Sequence, residues 1–454
     1  MPVLYIETVK HTPVTQKEEY VEAHGWLDAS MTDEFESLGS PDEPVGLGIR
    51  GRGNSSWSIY EKKPYKIKFD NKQSLLGNPK SKHFALLHYL GAYTSYYSET
   101  VGLEIGRRLG LEWTPNVQPV EVVLNGEYIG LYFLAETVRV EKTRVNITDQ
   151  PDLNMDPMTV SQGWLVEIDN YNDPNQVVMK EPDGRTLKLT FKSPEVLSDM
   201  QRDYIVGQFS DMMAAVHDSD KSSTRWLDYI DVESCVKTYI VHELVHNYDA
   251  FNGSFFMHKD AGDKWFFGPL WDLCYGLDKT KTQSVLEDFG PYANPKLIRE
   301  IVKFPYFTEE LVRIWREFRS NGTDWIADYI SAWESKIAAA AAVDAVRWPQ
   351  YNKGGLAGRA GSAARLFAGN VAWMDDFVAD KAAAASLTPS LAPDFDVMID
   401  GLTVTVTKPD RDMPVSVYDL GGSLVLSTRS MEFSLPTSGF YVIRCGDRCR
   451  KICC

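Results

Sequence analysis

Two histidines four residues apart, with a glutamate directly after the first, stand in the stretch VHELVHNYD as His242, Glu243 and His246. On a helix this spacing puts both imidazoles on one face, about 40° apart, where they can share a zinc ion while the glutamate acts as general base. A peptidase of this kind needs a third ligand. The extended motif asks for glycine at 249 and histidine at 252, and this chain has Asp249 and Asn252. A glutamate on a following helix is also lacking, because SFFMHKD, a turn at Ala261-Gly262-Asp263 and KWFFGPLWD continue as strands. A zinc peptidase stays open as an alternative.

The same segment offers a second chemistry. A helix, a loop with Asp249 and Asn252, a hairpin, and Asp272 at its exit in GPLWDLCYGLD follow one another. Phosphoryl transfer uses one carboxylate near the attacking hydroxyl and another on the cation that offsets the phosphate charge. Protein kinases array their catalytic Asp, metal-binding Asn and metal-binding Asp in this order. Upstream, GLGIRGRGNSSW is a strand entering a glycine-rich basic turn with Arg50 and Arg52, followed by KKPYKIKF. In that second strand Tyr65, Ile67 and Phe69 point one way while Lys66 and Lys68 point the other. Taken alone, this is also what a hairpin with a solvated lysine face would show. Glu243 is informative in a different way: projected at 100° per residue it joins Val232, Cys235, Val236 and Tyr239 on the apolar side of its helix, where a carboxylate must be paired.

These elements sit in a chain of 454 residues, long enough for one large domain and a smaller one. Hydrophobic residues make up 44% and charged residues 24%, and no run of about 18 apolar residues could span a bilayer. A formal net charge of −16 with no compact basic block argues against sequence-independent nucleic-acid binding. The first residues, MPVLYIETVKHTPVT, show no targeting signal.

The first 280 residues or so alternate strand and helix. SYYSETVGLEIGRRLG is a helix whose Glu99 or Glu104 can pair with a lysine, and VQPVEVVLNGEYIGLYFLAETV is a hairpin turning at Asn125-Gly126 and running to Glu136. KLIREIVKF, TEELVRIWREF, WIADYISAWESKIAAAAAVDAV and AARLFAGNVAWMDDFVADKA have helical periodicity. Composition changes near 381, where KAAAASLTPSLAPD suits a linker over 383–396. Beyond it, LTVTVTK, VSVYDL, SLVLST and FYVIRC are short alternating strands of an all-β module over 397–454. Four of the six cysteines, Cys445, Cys449, Cys453 and Cys454, fall in RCGDRCRKICC, which alternates like a strand pair across a Gly-Asp turn. Cross-strand disulfides or plain packing suit it better than a metal site.

In order along the chain, RGRGNSSW, KKPYKIKF, SLLGNPKSKHFALL, VEVVLNGEYIGLYFLAETV, GWLVEID, HNYDAFNGSFF and GPLWDLCYGLD resemble the CotH kinase family, named for spore coat protein H. The resemblance spans roughly residues 3 to 380. It implies an α+β, atypical protein-kinase-like fold over 1–382, with a β-rich N-lobe to about residue 140 and a helical C-lobe after it. ATP and magnesium or manganese are the implied cofactors, and Ser or Thr of secreted or surface proteins, not identified, the implied substrate. By motif, Asp249 is the expected catalytic Asp, Asp272 the metal Asp with Asn252 beside it, and Lys66 or Lys68 the phosphate lysine. Arg50 and Arg52 form the expected phosphate-facing turn, Glu136 lies where the hinge meets adenine, and Glu243 braces the catalytic loop. The terminal module, with PVSVYDLGGSLVLS and LPTSGFYVIRCGDRCRKI, resembles the C-terminal β-sandwich of many secreted Bacteroidetes proteins. That agrees with an exported protein whose signal peptide lies outside the sequence given.

Departures accompany the resemblance. Ser254 stands five residues after Asp249, where ordinary kinases place a metal-binding Asn, and Asp272 is followed by Leu273 and Cys274 rather than Phe-Gly. Tyr93 and Ser98 stand where the family segment usually has Asp and Arg. A degenerate kinase fold serving as a nucleotide-binding or adhesion module is therefore a second alternative. Carbohydrate binding by the many tryptophans and tyrosines is a third.

Overall fold

The structure, a computed structural model, describes residues 1–454 apart from 90–94, 289–293, 353, 387–394, 408–412, 420–421, 446–447 and 454. The chain divides into two compact units, Met1–Ala382 and Ala383–Cys454. Tyr93 and Cys454 lie outside the described residues. No described helix is long and apolar enough to cross a membrane.

The first unit begins with seven strands, β1 (Val3–Thr8), β2 (Val21–Asp28), β3 (Val45–Gly51), β4 (Tyr65–Gln73), β5 (Ser81–Leu87), β6 (Val117–Leu124) and β7 (Glu127–Glu136). They close into a barrel in the order β1-β2-β3-β4-β5-β7-β6, with β6 returning parallel to β1. Alternation dictates the interior: Leu4 and Ile6, Leu47 and Ile49, Ile67 and Phe69, and Val120 and Val122 meet in one buried cluster. The β6–β7 turn is at Asn125-Gly126, whose φ values of 52° and 77° are those of a tight hairpin that suits Asn-Gly. Between β3 and β4 lies a short helix, α1 (Ser55–Ile59), and between β5 and β6 lies α2 (Ser95–Arg108).

A second sheet, ordered β12-β11-β8-β10-β9, comprises β8 (Trp164–Ile168), β9 (Val177–Lys180), β10 (Thr186–Ser193), β11 (Phe255–Lys259) and β12 (Phe266–Phe267). Helices α3 (Asp199–Val216) and α4 (Val232–Val245) precede β11, and α5 (Ile298–Ile301), α6 (Pro305–Ser320), α7 (Trp325–Arg347) and α8 (Gly355–Ser386) follow β12. Helix α4 starts where the Asp231 side chain accepts the Ser234 amide at 2.7 Å.

The second unit has two sheets, β13-β14-β17 and β16-β15-β18-β19, formed by β13 (Asp396–Asp400), β14 (Thr403–Thr407), β15 (Val415–Asp419), β16 (Leu424–Thr428), β17 (Glu432–Ser434), β18 (Phe440–Cys445) and β19 (Arg448–Cys453). Val404 and Val406 of one sheet and Val415, Val417 and Ile443 of the other share one core, the arrangement of a small sandwich. In the β18–β19 pair Cys445 lies opposite Arg448 and Cys449 opposite Arg444.

Within the first unit the barrel is fastened to α7 by a buried ion pair. Lys62 Nζ lies 2.5 Å from Asp344 Oδ1 and 2.7 Å from the Leu131 carbonyl, and the same aspartate oxygen accepts the Leu131 amide at 2.8 Å. Burial pushes the Lys62 pKa down, so Asp344 is what keeps its charge tolerable there. Trp348 Nε1 adds a 2.9 Å bond to the Ile129 carbonyl. Asp344→Ala strands a buried ammonium and is expected to cost about 3–5 kcal/mol in urea unfolding of the full chain. An unchanged unfolding midpoint would show that the pair contributes nothing net.

Candidate active site

The HELVH segment does not assemble a zinc site, because the helix ends inside it. Helix α4 stops at Val245, and His246 is its C-cap in the left-handed region at φ 49° and ψ 47°. The one-face relation of i and i+4 is lost there. His246 Nε2 sits 2.8 Å from Asp288 Oδ2, while His242 Nδ1 pairs with Asn247 Nδ2 at 3.3 Å and its ring packs edge-on against Phe251. Burial pushes the His242 pKa down to about 3, so this imidazole is neutral. Glu243 is fully buried, as a carboxylate on an apolar face requires a partner, and it finds three: Lys281 Nζ at 2.5 Å, Ser284 Oγ at 2.5 Å and the Val285 amide at 3.0 Å. Among the described residues no third ligand converges with the two histidines.

What α4 does position is the loop after it. Asp249 is half-buried, and Asn252 Nδ2 donates to its Oδ1 at 2.6 Å. The side-chain oxygen Oδ1 of Asn252 accepts from Lys296 Nζ at 3.0 Å and from the Asn294 amide at 3.0 Å. In this arrangement Asn252 tethers Asp249 to Lys296, and its oxygen is not presented to a metal. Asp272 comes up beside this loop from the end of β12. Its Oδ2 lies 3.4 Å from Ser254 Oγ, and its Oδ1 lies 3.2 Å from Cys274 Sγ. The two departures from the kinase pattern thus meet on one carboxylate. Burial pushes the Cys274 thiol well up, so it is a protonated donor to Asp272.

Burial, opposed by the Asn252 hydrogen bond and reinforced by the negative charges of Asp272 and Asp169, raises Asp249 to about 6. Asp169 follows β8 directly, and its Oδ1 faces Gly253. Two residues earlier, Glu167 is buried and paired with Lys192 Nζ at 2.7 Å. Neither acid was singled out from sequence. The signal was present, since Glu167 is a lone charge in the apolar strand WLVEI and had to have a partner.

The barrel brings cations to the same place. Lys66 and Arg50 are register partners on β4 and β3, and Arg52 follows β3 directly. Burial, reinforced by the positive charges of Arg50, Arg139, Arg52 and Lys192, lowers Lys66 to about 8. Arg52 packs over Trp271, 5.4 Å from the ring centroid, and feels Asp272 and Glu167. Arg50 donates to the carbonyls of Lys17 and Glu18 and lies over Tyr20, so its guanidinium is held by its own lobe. Lys68 is exposed beside Tyr20 and outside this cluster.

Glu99 of α2 is buried, accepts the Leu273 amide at 2.5 Å, and is raised to about 8 by burial and the nearby Asp272. It positions the turn that carries Asp272. Glu104 pairs instead with Arg107 and Arg108 on its own helix. Ser98 is buried, and its hydroxyl makes no hydrogen bond among the described residues. The Glu136 carboxylate is committed to the Asn116 amide at 3.0 Å and to Arg144 Nε at 3.3 Å.

Backbone strain is concentrated here as well. His246, Phe251, Ser254, Asp272 and Leu277 all have positive φ between 49° and 61° without being glycine. Such conformations cost on the order of 1 kcal/mol each and persist where the surroundings over-determine them, typically at functional sites.

This geometry sets the direction in which Asp249 should respond to its neighbours. Asn252→Ala and Lys296→Met each remove a stabiliser of the carboxylate and are expected to raise its pKa above 6. Asp272→Asn removes a repelling charge and should lower it. Carboxyl-carbon NMR titration of labelled aspartate reads all three, and shifts of the opposite sign would contradict the placement.

No individually curated protein matches the chain. The profile of the family described as CotH kinase protein matches residues 49–384, well over half of the sequence and spanning the barrel from β3, the carboxylate loops and the helices to α8. The chain belongs to the CotH kinase family.

Proposed function

We propose that this protein transfers the γ-phosphoryl group of ATP to Ser or Thr hydroxyls of protein substrates, in an atypical kinase-like arrangement. The barrel holds the nucleotide phosphates, and the carboxylates come from the rest of the unit to about residue 382. One observation carries the reading: a cluster of half-buried cations around Lys66 reaches through Arg52 to half-buried Asp272, beside an Asp249 that burial and the charges of Asp272 and Asp169 raise to about 6. Each set destabilises itself, and a polyanion bound with a divalent cation relieves both.

The residues fit that ligand. Arg52 and Lys66 face the phosphates, with Arg50 behind them. Asp272, held by Ser254 and Cys274 and by the Glu99-anchored turn, has the hard oxygen ligands that magnesium or manganese takes. When bound, the cation offsets charge on the transferring group. Asp249 accepts the proton of the attacking hydroxyl as its oxygen bonds to the γ-phosphorus and the bond to the ADP oxygen breaks. A carboxylate titrating near 6 is ionised at neutral pH yet basic enough for this task. Asn252 and Lys296 fix its orientation, and Glu243 supports α4 from behind through Lys281. Glu136 closes β7 where the chain leaves the barrel, and with its carboxylate occupied a contact to adenine falls to the backbone there. Action on secreted or surface proteins, and a sorting role for the second unit, rest on the resemblances alone.

A nucleotide-binding module without turnover is the reading that Ser254 and Cys274 favour, since neither is the residue a kinase has there. Transfer of labelled γ-phosphate to the protein itself and to a generic acidic protein separates the two. Label that requires magnesium or manganese, falls by about 10²-fold or more in Asp249→Asn and vanishes in Asp272→Ala is the expected result. Bound ATP with no label in the wild type would establish the binding module, and equal labelling of all three proteins would remove Asp249 and Asp272 from the mechanism. The rate should also climb through pH 6 and level off above about 7, because the raised Asp249 carboxyl holds its proton below that point.

A further inference from the structure

Away from the carboxylate loops, three potential ligands converge from separate elements. Glu181 lies just beyond β9, Asp183 in the turn to β10, and His217 at the C-cap of α3. One ligand atom from each lies within 4.8 Å of the other two. His217 Nε2 is 3.0 Å from Glu181 Oε2, which also accepts the Leu297 amide at 3.3 Å. Glu181 is only 2% exposed, and its other oxygen, Oε1, is buried without a hydrogen bond among the described residues. A buried carboxylate oxygen left without a donor is costly, and burial accordingly pushes the Glu181 pKa up. Asp183 is exposed and shares its carboxylate with Arg185. Of the three, Asp183 also lines a cavity of about 510 Å³, with Asn170, Arg185, Lys188, Asn294 and Lys296.

We propose that Glu181, Asp183 and His217 form a binding site for a divalent cation, zinc by preference, separate from the cation assigned to Asp272. One imidazole nitrogen with two carboxylates suits zinc, whereas magnesium takes oxygen ligands. The ion takes the place of the direct His217–Glu181 contact and occupies Glu181 Oε1. Ligands at about 2.0–2.2 Å from zinc stand about 3.4 Å apart in a tetrahedron, so from separations within 4.8 Å the Asp183 turn has to close by at most about 1.4 Å. The bound ion ties the β9–β10 hairpin to the end of α3 and to Leu297, whose neighbour Lys296 holds Asn252. It is a structural clamp behind the Asp249 loop and needs no nucleotide.

The test uses the untagged full chain and zinc alone, with calorimetric titration, metal analysis after dialysis, and thermal unfolding. Wild type and Asp272→Ala should each take up one equivalent and unfold at a higher temperature with zinc, even in millimolar magnesium. His217→Ala and Asp183→Asn should bind more than about 10-fold more weakly and lose the thermal shift. Asp183 lies in an exposed turn, so Asp183→Asn decides the matter if His217→Ala does not fold. A wild type that takes up no zinc, uptake lost in Asp272→Ala, or zinc binding undiminished in Asp183→Asn would overturn the proposal.

Discussion

Like charges brought together out of bulk water are the constraint around which the first unit is organised. Lys66 is surrounded by four other cations, and Asp249 by Asp272 and Asp169. Neither set would assemble spontaneously, because separating like charges and hydrating them is favoured. Two parts of one compact unit hold them in place: a closed barrel with its own apolar interior, and a sheet whose central strand is buried at every residue. The stability of the frame offsets the instability of the site, which is also where the left-handed residues are concentrated.

Much of this frame was legible in the sequence. The alternation of Tyr65, Ile67 and Phe69 against Lys66 and Lys68 gives the faces of β4, Asn125-Gly126 marks the β6–β7 hairpin, and the separation of Asp249 from Asp272 by a hairpin is visible in residue order. Local patterns failed wherever the outcome depended on a distant partner. Nothing near β4 distinguishes Lys66 from Lys68; Arg52 and Lys192, from other elements, do so. Asn252 resembles a metal ligand until Lys296, 44 positions along, takes its oxygen. The HELVH pattern misleads for a different reason: its geometry presumes an unbroken helix, and His246 has already left it.

The departures from the kinase pattern acquire a physical sense together. Ser254 and Cys274 are both small, neutral donors, and both touch Asp272. Both therefore satisfy Asp272 without adding a charge beside it. The Leu273 amide, held by a Glu99 that burial leaves protonated up to about 8, fixes the turn without adding another negative charge to the site at neutral pH.

The buried Lys62–Asp344 pair has a further implication for motion. It joins the barrel to α7, and Trp348, just past the end of α7, bonds the barrel strand that carries Gly130 and Leu131. Parting it exposes an uncompensated ammonium to an apolar interior, so thermal fluctuation will not slide the two bodies past each other there. Strand β7 and helix α7 are therefore coupled at this point, and the barrel moves with α7 rather than against it.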